Sequence, residues 1–150
     1  MKVFQCQHPG CNFISVHAKT MFNHFREHIK EGREMKLTVS KTFRFEAAHK
    51  LVGYDGDCAN LHGHSYILEV QVKDDVGEDG FVLDFKELKK VVQTKVVDIL
   101  DHAYLNDLIK NPTAENIIIW IVRKLQQDLA VHKVRLWETV DSYVEWGNAN

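Results

Sequence analysis

A chain of 150 residues suits one ordinary domain with room for a small appendage. Its composition, 45% hydrophobic and 27% charged with two prolines, excludes a disordered or fibrous protein, and a net charge of -2 excludes a molecule-wide trap for nucleic acid. The longest apolar run, Ile117 to Val122, is too short to span a bilayer, and the N-terminus lacks the apolar core of a signal peptide, so a cytoplasmic protein is expected.

Residues 1–33 stand apart from the rest and end in the charged stretch Lys30 to Glu34. Within them, Cys6-x4-Cys11-x12-His24-x3-His28 fits the two-cysteine, two-histidine zinc-finger spacing. Phe4 and Met21 supply two of the hydrophobic positions such a finger packs, with Phe13 or Ile14 for a third. So small a unit cannot fold without its metal, so the reading requires a structural zinc; the alternative is an unstructured tail with accidental spacing. Lys2, Lys19, Arg26, Lys30, Arg33 and Lys36 outweigh Glu27, Glu31 and Glu34. On a helix from about Ala18, His17, Thr20 and Asn23 would take base-reading positions. One finger binds DNA weakly, so a protein contact or a purely structural role competes with a nucleic-acid partner.

A second domain, 35–150, follows. Leu37, Val39, Phe43 and Phe45 predict a first strand to about Ala47, and Lys50 to Asn60 a loop. Ser65 to Lys73 alternates as a second strand, and Asp74 to Gly80 is a turn. Asp84 to Leu100 repeats apolar residues at helical spacing (Leu88, Val91, Val92, Val96, Ile99), with Asp84 as N-cap. Thr113 caps a second helix running to about Leu129. Val134 to Val144 forms a closing hairpin, with Glu138 inside its first strand and Asp141-Ser142 near its turn. The order is ββααββ: an antiparallel sheet with one face under two helices, an α+β fold whose bare face and edges favour homo-oligomerisation.

Three cysteines among nine histidines suit metal or catalytic chemistry better than a disulfide framework. His62 and His64, two apart at a strand start, project to one side, and Gly63 between them admits a close neighbour. If the first two strands pair, His49 joins them, giving three imidazoles with an open fourth position, a catalytic zinc arrangement. Cys58 could instead close the site as a fourth ligand. Asp101-His102 follows the first helix, where the helix dipole and the carboxylate both favour a protonated imidazole; a helix-terminal polar pair is the plainer reading. Glu138 interrupts an apolar run and by pattern alone belongs to a solvent face.

Phe45-Glu-Ala-Ala-His49, Cys58-x3-His62-Gly-His64, Val82-Leu-Asp-Phe85, Leu100-Asp-His102 with Leu105-Asn-Asp107, Pro112-Thr-Ala-Glu-Asn116 and Trp137-Glu-Thr139 together resemble the 6-pyruvoyltetrahydropterin and 6-carboxytetrahydropterin synthase superfamily, from Met35 to Gly147. The short gap between cysteine and first histidine looks like the carboxy-forming branch. The resemblance implies the tunnelling fold, or T-fold, with subunits joined into barrels, often hexamers. It implies a lyase acting on 7,8-dihydroneopterin triphosphate, with 6-carboxytetrahydropterin, acetaldehyde and triphosphate as products, on the route to 7-deazaguanines such as queuosine. Catalytic zinc would sit on His49, His62 and His64. Cys58, as thiolate, would move a proton at the side-chain carbon, and His102 with Asp101 would relay one on the opposite face. Glu138 would bind the pterin, assisted by Thr113 and Thr139. A pyruvoyl-forming synthase, and a nucleic-acid-binding finger protein on an inactive scaffold, are the competing readings.

Overall fold

The structure, a computed structural model, describes residues 3–5, 11–17, 20 and 36–147. The chain divides into two compact units, Met1–Lys36 and Leu37–Asn150. In the first, β1 (Phe4–Gln5) and β2 (Ile14–Ser15) pair antiparallel, with Phe4 opposite Ser15 and Gln5 opposite Ile14.

The second unit is built on two long strands, β3 (Leu37–His49) and β4 (His62–Asp74), paired antiparallel along their whole length. β3 starts at Leu37 as expected but runs on past Ala47, and β4 begins before Ser65 and ends after Lys73. The extra residues include all three candidate histidines, which cross-strand hydrogen bonds hold extended despite their weak strand preference. After β4 come α1 (Phe85–Val92), a π-helical turn (Gln93–Val97) and α2 (Asp98–Leu100), forming one interrupted helix. Asp84 caps it by accepting from the Lys86 N–H at 2.7 Å. The π turn takes in an extra residue, so the buried face runs Leu88, Val92, Val96, Val97 and Leu100 and leaves Ile99 exposed. A regular helical period places Ile99 inward, and the π turn corrects that expectation.

A two-residue strand that periodicity does not reveal, β5 (Ala103–Tyr104), runs parallel to β3. Then α3 (Ala114–Leu125) starts at Thr113, whose hydroxyl accepts from the Asn116 N–H, and it stops four residues short of the expected Leu129. Strands β6 (Val131–Trp137) and β7 (Tyr143–Gly147) close the sheet in the order β5-β3-β4-β6-β7.

Alternate residues Phe43, Phe45 and Ala47 of β3, Tyr66, Leu68, Val70 and Val72 of β4, and Val134 and Leu136 of β6 form the buried floor. Leu88 to Leu100 and Ile117, Ile118, Ile121, Val122 and Leu125 cover it. The opposite face is polar: Glu69 accepts from Ser40 and Gln71, and Arg135 and Lys133 pair with Glu145. Among the described residues, no helix is long and apolar enough to cross a membrane.

Candidate metal centre and active site

The buried alternation of β3 does not stop at Ala47. His49 takes the next inward position and is 2% exposed. On β4, the phase that buries Leu68 and Tyr66 continues through His64 to His62. Register sets His49 opposite His62 and Ala47 opposite His64, so the apolar floor runs out into three imidazoles at one end of the sheet. Opposed residues on one face have Cβ atoms about 4.5–5.5 Å apart, close enough for their side chains to converge. Gly63 fits the same join, because a Cβ there would come within 3.3 Å of the Ala47 carbonyl oxygen.

Ring centroids of the three histidines lie 4.5, 4.9 and 5.1 Å apart. One nitrogen from each ring lies within 4.8 Å of the others. His49 Nδ1 donates to the Pro112 carbonyl at 2.7 Å, and His62 Nδ1 donates to the Asn60 carbonyl at 2.8 Å. A carbonyl oxygen only accepts, so each Nδ1 carries a proton, and the neutral form of each ring then has its lone pair on the inward Nε2. The two Nε2 atoms are 3.0 Å apart. Two facing lone pairs at that distance repel, and a cation between them turns repulsion into ligation. Tetrahedral bonds of about 2.0–2.1 Å set nitrogen ligands roughly 3.3 Å apart, so the residues fit a metal ion. Burial lowers the His64 pKa, opposed by the Glu138 carboxylate and reinforced by His49 and His62, which favours the neutral, ligating form.

Cys58 sits half-buried in a short helical turn (Asp57–Ala59) just ahead of β4 and is not a member of that donor group. Its loop is tied down: Leu51 N–H donates to the Cys58 carbonyl, Asn106 bonds both backbone groups of Lys50, and Asn111 accepts from Val52 N–H. Asn106 falls in the Leu105-Asn-Asp107 motif and Asn111 just ahead of Pro112, yet no local pattern marks either as a clamp; each reaches across more than fifty residues of sequence.

Asp101 and His102 dock on the other side of β3. Asp101 Oδ1 accepts from the Glu46 N–H at 2.9 Å, and its Oδ2 lies 3.0 Å from His102 Nδ1. The Glu46 N–H, with help from His102, holds the Asp101 pKa below the usual carboxylate value. His102 donates its own N–H to the Glu46 carbonyl and has a left-handed backbone, φ 58°, unusual for a residue with a side chain. Its side chain is 81% exposed. With Glu46–Ala48 and Gly63–Ser65 it lines a cleft of about 340 Å3.

Glu138 lies one residue past β6, not inside the strand as its sequence pattern suggests, because the chain bends there toward Ser142. Its Oε1 is 3.7 Å from His49 Nε2 and 3.9 Å from His64 Nε2, on the histidine side of the sheet. The solvent-face reading is thereby corrected. Tyr66, which sequence reasoning overlooks, donates its hydroxyl to the same oxygen at 3.3 Å. Burial and the Glu138 charge push its pKa far above the usual phenol value, so it stays a donor. The signal was available: Tyr66 is the next residue in the phase of His62 and His64. The other two expected substrate contacts have local partners, Thr113 as a helix cap and Thr139 donating to Asp141. A larger groove of about 640 Å3 runs past Ile119, Trp120 and Arg123 of α3 to Val52 and Asn111, and none of the candidate catalytic, metal or substrate residues lines it.

Of the expected finger ligands, Cys6, His24 and His28 lie outside the described residues. Cys11 is described, and its Sγ accepts from the Phe13 N–H at 3.5 Å.

The family model for 6-pyruvoyl tetrahydropterin synthase matches residues 38–148. A protein of Haemophilus influenzae named 6-carboxy-5,6,7,8-tetrahydropterin synthase is 35% identical, over 72% of this chain and 96% of its own. One of that name from Synechocystis is 40% identical over 69% of this chain and 88% of its own. The solved structure of Caenorhabditis elegans 6-pyruvoyl tetrahydropterin synthase, 27% identical, superposes with a TM-score of 0.70 over 78% of this chain and 99% of that one. An α+β T-fold, a matching family model and three convergent histidines agree: the chain belongs to the 6-pyruvoyl tetrahydropterin synthase family.

Proposed function

We propose that this chain is a zinc-dependent lyase converting 7,8-dihydroneopterin triphosphate and one water to 6-carboxy-5,6,7,8-tetrahydropterin, acetaldehyde and triphosphate, in 7-deazaguanine (queuosine-type) biosynthesis. The observation that carries it is the convergence of Glu138 on the His49, His62 and His64 cluster at one end of the sheet, with Cys58 in the loop leading into that cluster. A zinc ion held there supplies Lewis acidity toward a substrate hydroxyl oxygen. The dihydropterin ring gains the hydrogens that its own side chain gives up, so the protein's task is to move protons. Cys58 withdraws one at the side-chain carbon, and a thiolate suits that role. His102 relays another, with Asp101 orienting its Nδ1. Glu138 accepts from the paired N–H and amino group of the pterin, and Thr113 and Thr139 assist. Edge strands β5 and β7 and the polar face of the sheet suit assembly of several copies into a closed barrel, a hexamer by resemblance, acting in the cytoplasm.

The test is product analysis with metal-loaded protein and 7,8-dihydroneopterin triphosphate. Acetaldehyde and triphosphate should accumulate in equal amounts. Triphosphate with a pyruvoyl product and no acetaldehyde would select the pyruvoyl-forming reading. No turnover, together with salt-sensitive binding of DNA or RNA, would select the inactive-scaffold reading.

Residues 1–33 carry the second zinc in this proposal, on Cys6, Cys11, His24 and His28. Its support is the ligand spacing, the β1–β2 pairing that brackets Cys6 and Cys11, and the N–H donated to Cys11 sulfur. Metal analysis of the full chain should find two zinc ions per chain; one would remove the finger.

A further inference from the structure

Tyr66 has no place in the chemistry above, yet it is the largest fully buried side chain beneath the candidate site. Its ring stacks on Phe45 with centroids 5.0 Å apart and meets His64 and His49 edge-on at 5.6 and 6.3 Å. That packing leaves the ring no freedom, so its hydroxyl is a donor at a fixed point, 3.3 Å from Glu138 Oε1. Glu138 is the less constrained partner. It stands in a bend rather than a strand, and its side chain is about a third exposed. A carboxylate so placed has two destinations: the solvent on its exposed side, or the inward-facing histidine nitrogens, 3.7 and 3.9 Å from Oε1. A cation among those nitrogens would pull it inward.

We infer that Tyr66 is a positioning residue: its hydroxyl holds Glu138 Oε1 and keeps the carboxylate turned toward the pterin instead of collapsing onto the metal ligands. The inference rests on the reading of Glu138 as the pterin contact. It predicts that Tyr66 acts on substrate affinity through Glu138 and through no other residue.

The test is a double-mutant cycle on the metal-loaded full chain, with neopterin as probe and fluorescence titration as readout. Tyr66→Phe should weaken neopterin binding about five- to tenfold, and KM should rise by a similar factor while kcat changes little. In a Glu138→Ala background the same change should have no further effect. An equal loss in both backgrounds, or no loss in either, overturns the inference while leaving the proposed function standing. A Tyr66→Phe chain that fails to fold or loses its metal also overturns it, because the hydroxyl would then be structural. If the unaltered protein does not bind neopterin, the pterin reading and this inference fall together.

Discussion

Replacing Cys58 with alanine is expected to abolish turnover and leave the three-histidine metal in place. Cys58 belongs to the loop that Asn106, Asn111 and Leu51 fix, but it is outside the donor group of His49, His62 and His64. Removing its sulfur therefore takes away a proton carrier and spares the ligands. General acid–base groups contribute about 10²- to 10⁴-fold, so the drop in kcat should be at least about 100-fold, with KM nearly unchanged. Zinc content and the rate with 7,8-dihydroneopterin triphosphate are measured on the same preparation. Loss of zinc in the variant would instead make Cys58 a fourth ligand and the site a closed one.

His49→Ala should have the largest combined effect on metal, activity and stability. The ring is buried, donates from Nδ1 to the Pro112 carbonyl, and offers Nε2 to the cluster. Alanine leaves two ligands, a cavity, and a carbonyl without its donor. The unpaired carbonyl alone costs about 1–3 kcal/mol, and the lost metal adds the free energy by which binding stabilises the folded state. On the proposed count of two zinc ions per chain, one should be lost, and activity should fall to background. The melting temperature of the variant should not respond to added zinc at the catalytic site, whereas that of the unaltered protein should rise. A variant that keeps its full zinc complement would show that His49 is a core histidine bonded to Pro112 and not a ligand.

Much of the site was legible because β strands keep a strict period. His62, His64 and Tyr66 share a phase with Leu68 and Val70, and once β3 pairs with β4 His49 must meet His62. The same reasoning failed where a residue leaves its period. Ile99 is displaced by the π turn. Glu138 is a different failure: it keeps the inward phase of Val134 and Leu136 one residue past the end of β6, where its charge had argued for solvent. Nor does periodicity find β5, two residues long and paired with a strand more than fifty positions away.

The three-histidine cluster was readable from residue types and spacing alone, as were its family resemblance and the order of the long elements, because each depends on local periodicity and short motifs. Three features needed the folded chain. One is the tautomer of the imidazoles, set by the carbonyls of Pro112 and Asn60. Another is the placement of Asp101 and His102 against Glu46, and the third is the contact between Tyr66 and Glu138. Each of these is a hydrogen bond, and a hydrogen bond depends on distance and direction. Most of these span fifty or more residues, and even the short link from Asn60 to His62 needs the ring's orientation, which no spacing rule encodes.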